Sequence, residues 1–214
     1  ADFAAGLDRF VRTSEELLSL QHRSLCAPKD LLRVNGTAYQ VWEDIPGRTL
    51  EAVCTDGLLL TQDEADALAF PVLEALAVLH AHGRLHLDLS RHTLGIRSDN
   101  GQALVYGLGQ RADDWAGLTH RNDCLPPEQY LGDGSRLGPW SDIYAMAATL
   151  YRTCSGTQVE QAPSRQLADT LQPLQAVVQT TFRLGFLDAI DAALVLQPAK
   201  RPQSIAQWAQ MLRL

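Results

Sequence analysis

The sequence predicts an α+β protein, mainly α, in which a large helical lobe carries a small lobe of one helix and a β-hairpin. Three observations predict it. Apolar residues recur at helical spacing over most of the chain. Asn-Gly pairs mark tight turns at two places, Asn35-Gly36 and Asn100-Gly101. One segment, Ile143 to about Cys154, is apolar nearly all the way round, as a helix enclosed by protein must be. At 214 residues and 46% hydrophobic content the chain can bury one core with a small lobe attached. The expected division is residues 1–45 for the small lobe and 46–214 for the large one.

In chain order, Leu7, Phe10, Leu17, Leu18 and Leu20 predict an amphipathic helix up to about His22. Leu31 to Val34 and Thr37 to Trp42 flank Asn35-Gly36, whose residues tolerate the positive φ of a two-residue hairpin turn. After Pro46-Gly47 the character turns helical, from Thr49 to Cys54. A long helix then starts at Thr61-Gln62-Asp63-Glu64, a capping box, and buries Leu68, Val72, Leu76 and Leu79. Pro71 inside it removes a donor and predicts a kink or the loss of its first turns. Leu94 to Arg97 and Ala103 to Tyr106 form a second hairpin centred on Asn100-Gly101. Ser141-Asp142 is expected to cap the buried helix. Two helices close the chain, one carrying Leu187, Ile190 and Leu194, the other starting at Ser204-x-x-Gln207 and burying Ile205, Trp208 and Leu212. The polar stretch from Thr157 to Gln172 carries no predicted element.

With 25 acidic against 18 basic residues the net charge is -7, which argues against nucleic-acid binding. The four cysteines are widely spaced, without a C-x-x-C pair, and predict reduced thiols in the cytoplasm. No run of 18 apolar residues occurs, so no membrane contact is expected of this segment. His80, His82, His86 and His92 cluster in sequence but are expected to be structural, with no metal site.

Four spaced motifs set the functional expectation. Leu79-His80-Ala81-His82-Gly83-Arg84-Leu85-His86-Leu87-Asp88, then Pro126-Pro127-Glu128-Gln129-Tyr130, then Gly138-Pro139-Trp140-Ser141-Asp142-Ile143-Tyr144, and last Arg201-Pro202-Gln203-Ser204 follow one another along the chain. In this order they resemble the serine/threonine protein kinase family, closest in wording to its bacterial members. The resemblance implies a kinase-like fold and gives roles to single positions. Asp88 matches the catalytic base, but the asparagine that holds magnesium is Thr93 and the loop lysine is Ser90. The family's Asp-Phe-Gly triplet is Gly107-Leu108-Gly109. Its helix glutamate falls at Thr13, and no lysine-bearing strand or glycine-rich loop precedes that helix, so the first three strands of the small lobe are lacking. Trp42 holds the position that guards the back of the nucleotide pocket and is large enough to fill it, while the apolar floor under the base becomes Gly95. Leu87 replaces an arginine that meets phosphorylated loops, which argues against a phosphate switch at Thr119. Trp115 is expected to pack inside or, if exposed, to serve a binding surface.

The architectural positions survive. Glu128 and Arg201 match a buried ion pair, and Asp142 is expected to accept backbone donors around His86 while capping its helix. Magnesium is a hard cation held through carboxylates, phosphates and waters, so binding of ATP and magnesium is expected to be weak or absent. The resemblance therefore implies a catalytically inactive kinase-like domain, a protein-binding scaffold or allosteric regulator in bacterial signalling. Its partner would be another protein or an upstream segment, pairing at an open strand edge over residues 38–43. A second expectation is a residual serine/threonine phosphotransferase or nucleotide-binding regulator completed by upstream sequence, with Asp88 as base. A third is a helical module unrelated to kinases, in which Glu128 would not lie near Arg201.

Overall fold

The structure is a computed structural model describing residues 2–54, 57, 59–108, 124–131 and 136–214; Gly109, Trp115 and Thr119 lie outside the described residues. Helix α1 (Asp2–Leu18) stops short of His22. A turn closes it, with Ser19 and Leu20 N–H bonded to the Glu16 and Leu17 carbonyls. The following segment runs beside the large lobe, where Val105 N–H donates to Ser24 O (2.7 Å) and Cys26 N–H to Val105 O (2.9 Å). Burying Leu20 and Leu25 there is worth more than one further exposed helical turn.

Strands β1 (Asp30–Val34) and β2 (Thr37–Val41) form the expected hairpin, in register Val34↔Thr37 through Asp30↔Val41. Asn35 (φ 53°) and Gly36 (φ 71°) take up the left-handed conformation that a two-residue turn needs. These two strands form a sheet of their own. A strand the periodicity did not predict, β3 (Gly47–Thr49), pairs with β4 (Leu94–Arg97), which pairs with β5 (Ala103–Val105). Gly-Arg-Thr has no apolar alternation, and the strand exists because β4 offers it an edge. The β4–β5 connection spans residues 98–101, not a two-residue turn. Arg97 N–H closes the ladder on Gln102 O, Gly101 takes the positive φ, and the Asn100 side chain accepts from Gln102 N.

Thr49 caps α2 (Leu50–Val53) through its hydroxyl. The capping box of Thr61 and Glu64 opens α3 (Gln62–Ala81), which runs unbroken past Pro71, so the proline splits nothing off. Helix α4 (Pro139–Ser155) begins before Ser141, with Pro139 in its first turn, where a missing N–H costs no helical bond. Asp142 thus lies in that first turn and does not cap the helix. Every α4 residue from Ser141 to Tyr151 is buried, and α3, α6 (Leu174–Val177), α7 (Leu184–Ala193) and α8 (Ile205–Leu212) pack around it. The stretch without a predicted element contains α5 (Ala162–Leu167), held by the buried Arg165. Its guanidinium bonds Asp169, Tyr144 Oη (3.0 Å) and Leu194 O (2.9 Å), an anchor that leaves no trace in apolar periodicity. Trp208 of α8 is fully buried and donates Nε1–H to Ala189 O.

Candidate functional site

Buried Asp142 at the start of α4 organises the segment that follows α3. One of its carboxylate oxygens accepts from Leu87 N–H (2.8 Å), the other from His86 N–H (2.9 Å) and His80 Nε2–H (2.7 Å). Burial pushes its carboxyl up, but the hydrogen bonds from the His80 ring and the His86 backbone N–H outweigh that and hold it below the ordinary range. Leu87 takes a positive φ of 62°, a conformation that costs an apolar residue about 1–2 kcal/mol and that the two bonds to Asp142 enforce. The His86 ring then donates from Nε2 to Tyr106 O (2.7 Å) and accepts Asp88 N–H at Nδ1 (3.2 Å), which fixes one neutral tautomer. Asp88 is half-buried on this loop.

Thr93 closes the loop. Its hydroxyl donates to Asp88 O (2.6 Å) and accepts from Ser90 N–H (2.9 Å), while Ser90 Oγ accepts from His92 N–H. Directly opposite stands Gly107, at φ 80°, where a Cβ would lie 3.3 Å from the Thr93 methyl. The two positions expected to lack metal ligands are thus neighbours, one a loop staple and the other bare backbone.

Tyr106, just before Gly107, lies over two further glycines. A Cβ at Gly95 would lie 2.6 Å from Tyr106 Cε2 and 2.8 Å from Arg48 O. A Cβ at Gly47 would lie 3.1 Å from Tyr106 Oη. The Tyr106 ring therefore rests against both glycines, on one face of the paired strands β3 and β4. Sequence reasoning missed Tyr106; the available signal was an aromatic residue just before the degenerate triplet, together with a glycine, Gly95, where an apolar side chain was expected. Trp42, expected to fill the back of this pocket, is instead 41% exposed, because the β1–β2 sheet has no third strand to cover it among the described residues. Thr13 is buried on α1, and the carboxylates of its neighbours Glu15 and Glu16 are engaged by Arg33 and Arg84.

The architectural pair is present. Glu128 accepts from both terminal guanidinium nitrogens of Arg201 (2.7 and 3.1 Å) and from Ser141 Oγ (2.8 Å). Arg201 also donates to the Val195 and Leu196 carbonyls and lies 4.7 Å from the centre of the Tyr144 ring. Gln129, beside Glu128, donates to Leu87 O (2.9 Å) and ties this motif back to the loop. A module unrelated to kinases would not join Glu128 to Arg201, and that reading falls. His80, His82 and His86 each have a hydrogen-bond partner, and no three His, Cys, Asp or Glu side chains among the described residues converge on a metal-sized space.

The hairpin carries the second notable surface. Because Val34 and Thr37 flank a two-residue turn, the backbone groups of Ala38 and Gln40 point away from β1, and none has a backbone partner among the described residues. Gln40 and Arg33 turn their side chains to Ser14 and Glu15 of α1. On the opposite face Leu32, Val34, Tyr39 and Val41 are 36–52% exposed.

No family model matches the chain. Among curated proteins it is similar to the probable serine/threonine-protein kinase PknB of Corynebacterium glutamicum, 30% identical over 159 residues, covering 70% of this chain and 25% of that protein. The serine/threonine-protein kinase PknB of Mycobacterium leprae is 25% identical over 222 residues, 96% of this chain and 35% of its own length. The chain thus spans between a quarter and about a third of these relatives. Among solved structures it is similar to the apo form of PpkA-294, with TM-score 0.82 and 27% identity over 98% of this chain and 75% of the other. It shares its fold with the Mycobacterium tuberculosis PknI kinase domain, with TM-score 0.72, 24% identity and coverage of 96% and 77%. No helix among the described residues is long and apolar enough to cross a membrane.

Proposed function

From the premise that this chain is a serine/threonine protein kinase-like domain, with a small lobe of one helix and a hairpin, we propose that it binds another protein in bacterial signalling and transfers no phosphate. The observation that carries this reading is the pairing of Thr93 with Gly107. Magnesium bridging a triphosphate needs carboxylate or amide oxygen ligands, and here one position is spent on its own loop while the other has no side chain. The residues present do not fit the nucleotide and its metal. The fold's remaining investment is architectural: Asp142, Glu128 and Arg201 keep a rigid platform. The four free, buried thiols suit a reducing compartment, the cytoplasm.

The partner-facing element is the open edge of β2 with its apolar face. An added strand would pair with Ala38 and Gln40 and extend the Leu32, Val34, Tyr39 and Val41 surface. Ala38→Pro removes an outward N–H without touching the ladder to β1, and Tyr39→Glu charges the exposed face. Both variants are expected to reduce recovery of the partner in a pull-down while urea melts stay close to that of the parent. Undiminished recovery by both would remove β2 as the docking site.

One observation favours a second reading, phosphotransfer completed by an upstream segment: Asp88 is still present on a loop held in place by His86 and Asp142. Thermal shift with ATP and magnesium or manganese decides between the two. A ligand at one hundred times its dissociation constant adds about 2.7 kcal/mol of stability, so binding would be plain. No shift is expected.

A further inference from the structure

We propose that Tyr106 is a built-in occupant of the base slot of the cleft: its ring takes the place of a planar heterocycle and keeps the slot closed to purines. The inference rests on the kinase-like reading of the cleft and is independent of the protein-binding reading. Three strands of evidence converge on it. The slot is floored by the paired strands β3 and β4, and where these strands meet the ring both carry glycine, Gly47 and Gly95. A side chain at Gly95 would overlap the Tyr106 ring at 2.6 Å, so ring and floor residue exclude one another. The backbone then holds the ring in position from both sides of its own residue, since Tyr106 N–H donates to Thr93 O (2.8 Å) and Tyr106 O accepts from His86 Nε2–H (2.7 Å).

The same two bonds join the plug to the loop that has lost its metal ligands. Thr93 contributes its hydroxyl to Asp88 and Ser90 and its carbonyl to Tyr106, so a single residue staples the loop and seats the ring. Loss of phosphate chemistry and loss of base binding are therefore separable physically: the first depends on the side chains at 93 and 107, the second on the side chain at 106. A ring-sized space over the bare backbone of Gly47 and Gly95 is suited to a flat heterocycle once the half-buried ring is gone.

The test measures binding of adenosine, which needs neither metal nor phosphate contacts, by calorimetry to the parent chain, Tyr106→Phe and Tyr106→Ala, with circular dichroism to establish folding. Tyr106→Leu replaces the alanine variant if that one does not fold. The parent and Tyr106→Phe are expected to show no binding at millimolar adenosine, and the truncated variant to bind at least tenfold more tightly. Equal behaviour of parent and truncated variant, whether both bind or neither does, overturns the plug. Binding of inorganic triphosphate with magnesium to the parent, which needs no base slot, would instead count against the loss of metal and phosphate binding in the proposed function and would leave the adenosine comparison intact, so the two failures are distinguishable.

Discussion

At the scale of single residues, Thr93 and Gly107 behave as a matched pair, and the match limits what reversion can restore. Gly107 sits at φ 80° against the Thr93 methyl, so Gly107→Asp meets both a backbone penalty and a contact. It is expected to lower stability by about 1–2 kcal/mol and to leave ATP binding absent in the presence of magnesium, as measured by urea melts and calorimetry. Thr93→Val keeps the shape but leaves Ser90 N–H and Asp88 O without the hydroxyl. It is expected to cost about 1–3 kcal/mol in the same melts. A neutral Thr93→Val would show that the hydroxyl is not the staple of this loop. The degenerate positions 93 and 107 were legible in the sequence because the family pattern has fixed spacings. The plug at Tyr106 was not, since it depends on a ring meeting a strand some ten residues away in sequence and a second strand much further off.

At the scale of elements, the helices that begin with a side-chain cap were the clearest. Thr61 and Glu64 close a full capping box at the head of α3. Hydrogen bonds from Thr61 hold the Glu64 carboxyl below its ordinary range. A carboxylate depressed in the folded state contributes stability above its unfolded value, about 4.3, and loses that contribution as pH falls through the folded value. Thr61→Ala is thus expected to cost about 1 kcal/mol at neutral pH and to shrink the stability lost on going from pH 7 to pH 3, compared by parallel urea titrations. The first hairpin was equally legible because its turn chemistry is local. Elements without a local signal were missed or misplaced: β3 exists by virtue of the β4 edge, α5 by virtue of Arg165 reaching Tyr144 and Leu194, and the start of α4 moved to Pro139. The unbroken course of α3 past Pro71 has the same lesson, since packing of Leu68, Val72 and Leu76 outweighs one lost bond.

At the scale of the whole molecule, polar groups buried far apart in sequence join the parts. Glu128 and Arg201 are each 2% exposed, and removing one partner strands a charge, so Glu128→Ala is expected to destabilise by about 3–5 kcal/mol in thermal or urea unfolding. Asp142 fixes the loop of His86 and Leu87 to α4 and, being depressed in the folded state, adds acid sensitivity: its contribution is present above about pH 3.9 and fades as pH falls through the lower folded value. The sequence by itself determined the kinase-like order of elements, the pairing of Glu128 with Arg201 and the residues standing at 93, 95 and 107, because these follow from local periodicity, turn chemistry and motif spacing. Only the tertiary structure decided that Tyr106 fills the slot, that Trp42 faces outward and that β2 presents a bare edge. Those facts belong to surfaces brought together by packing, and no local run of side chains encodes which ring will meet which strand.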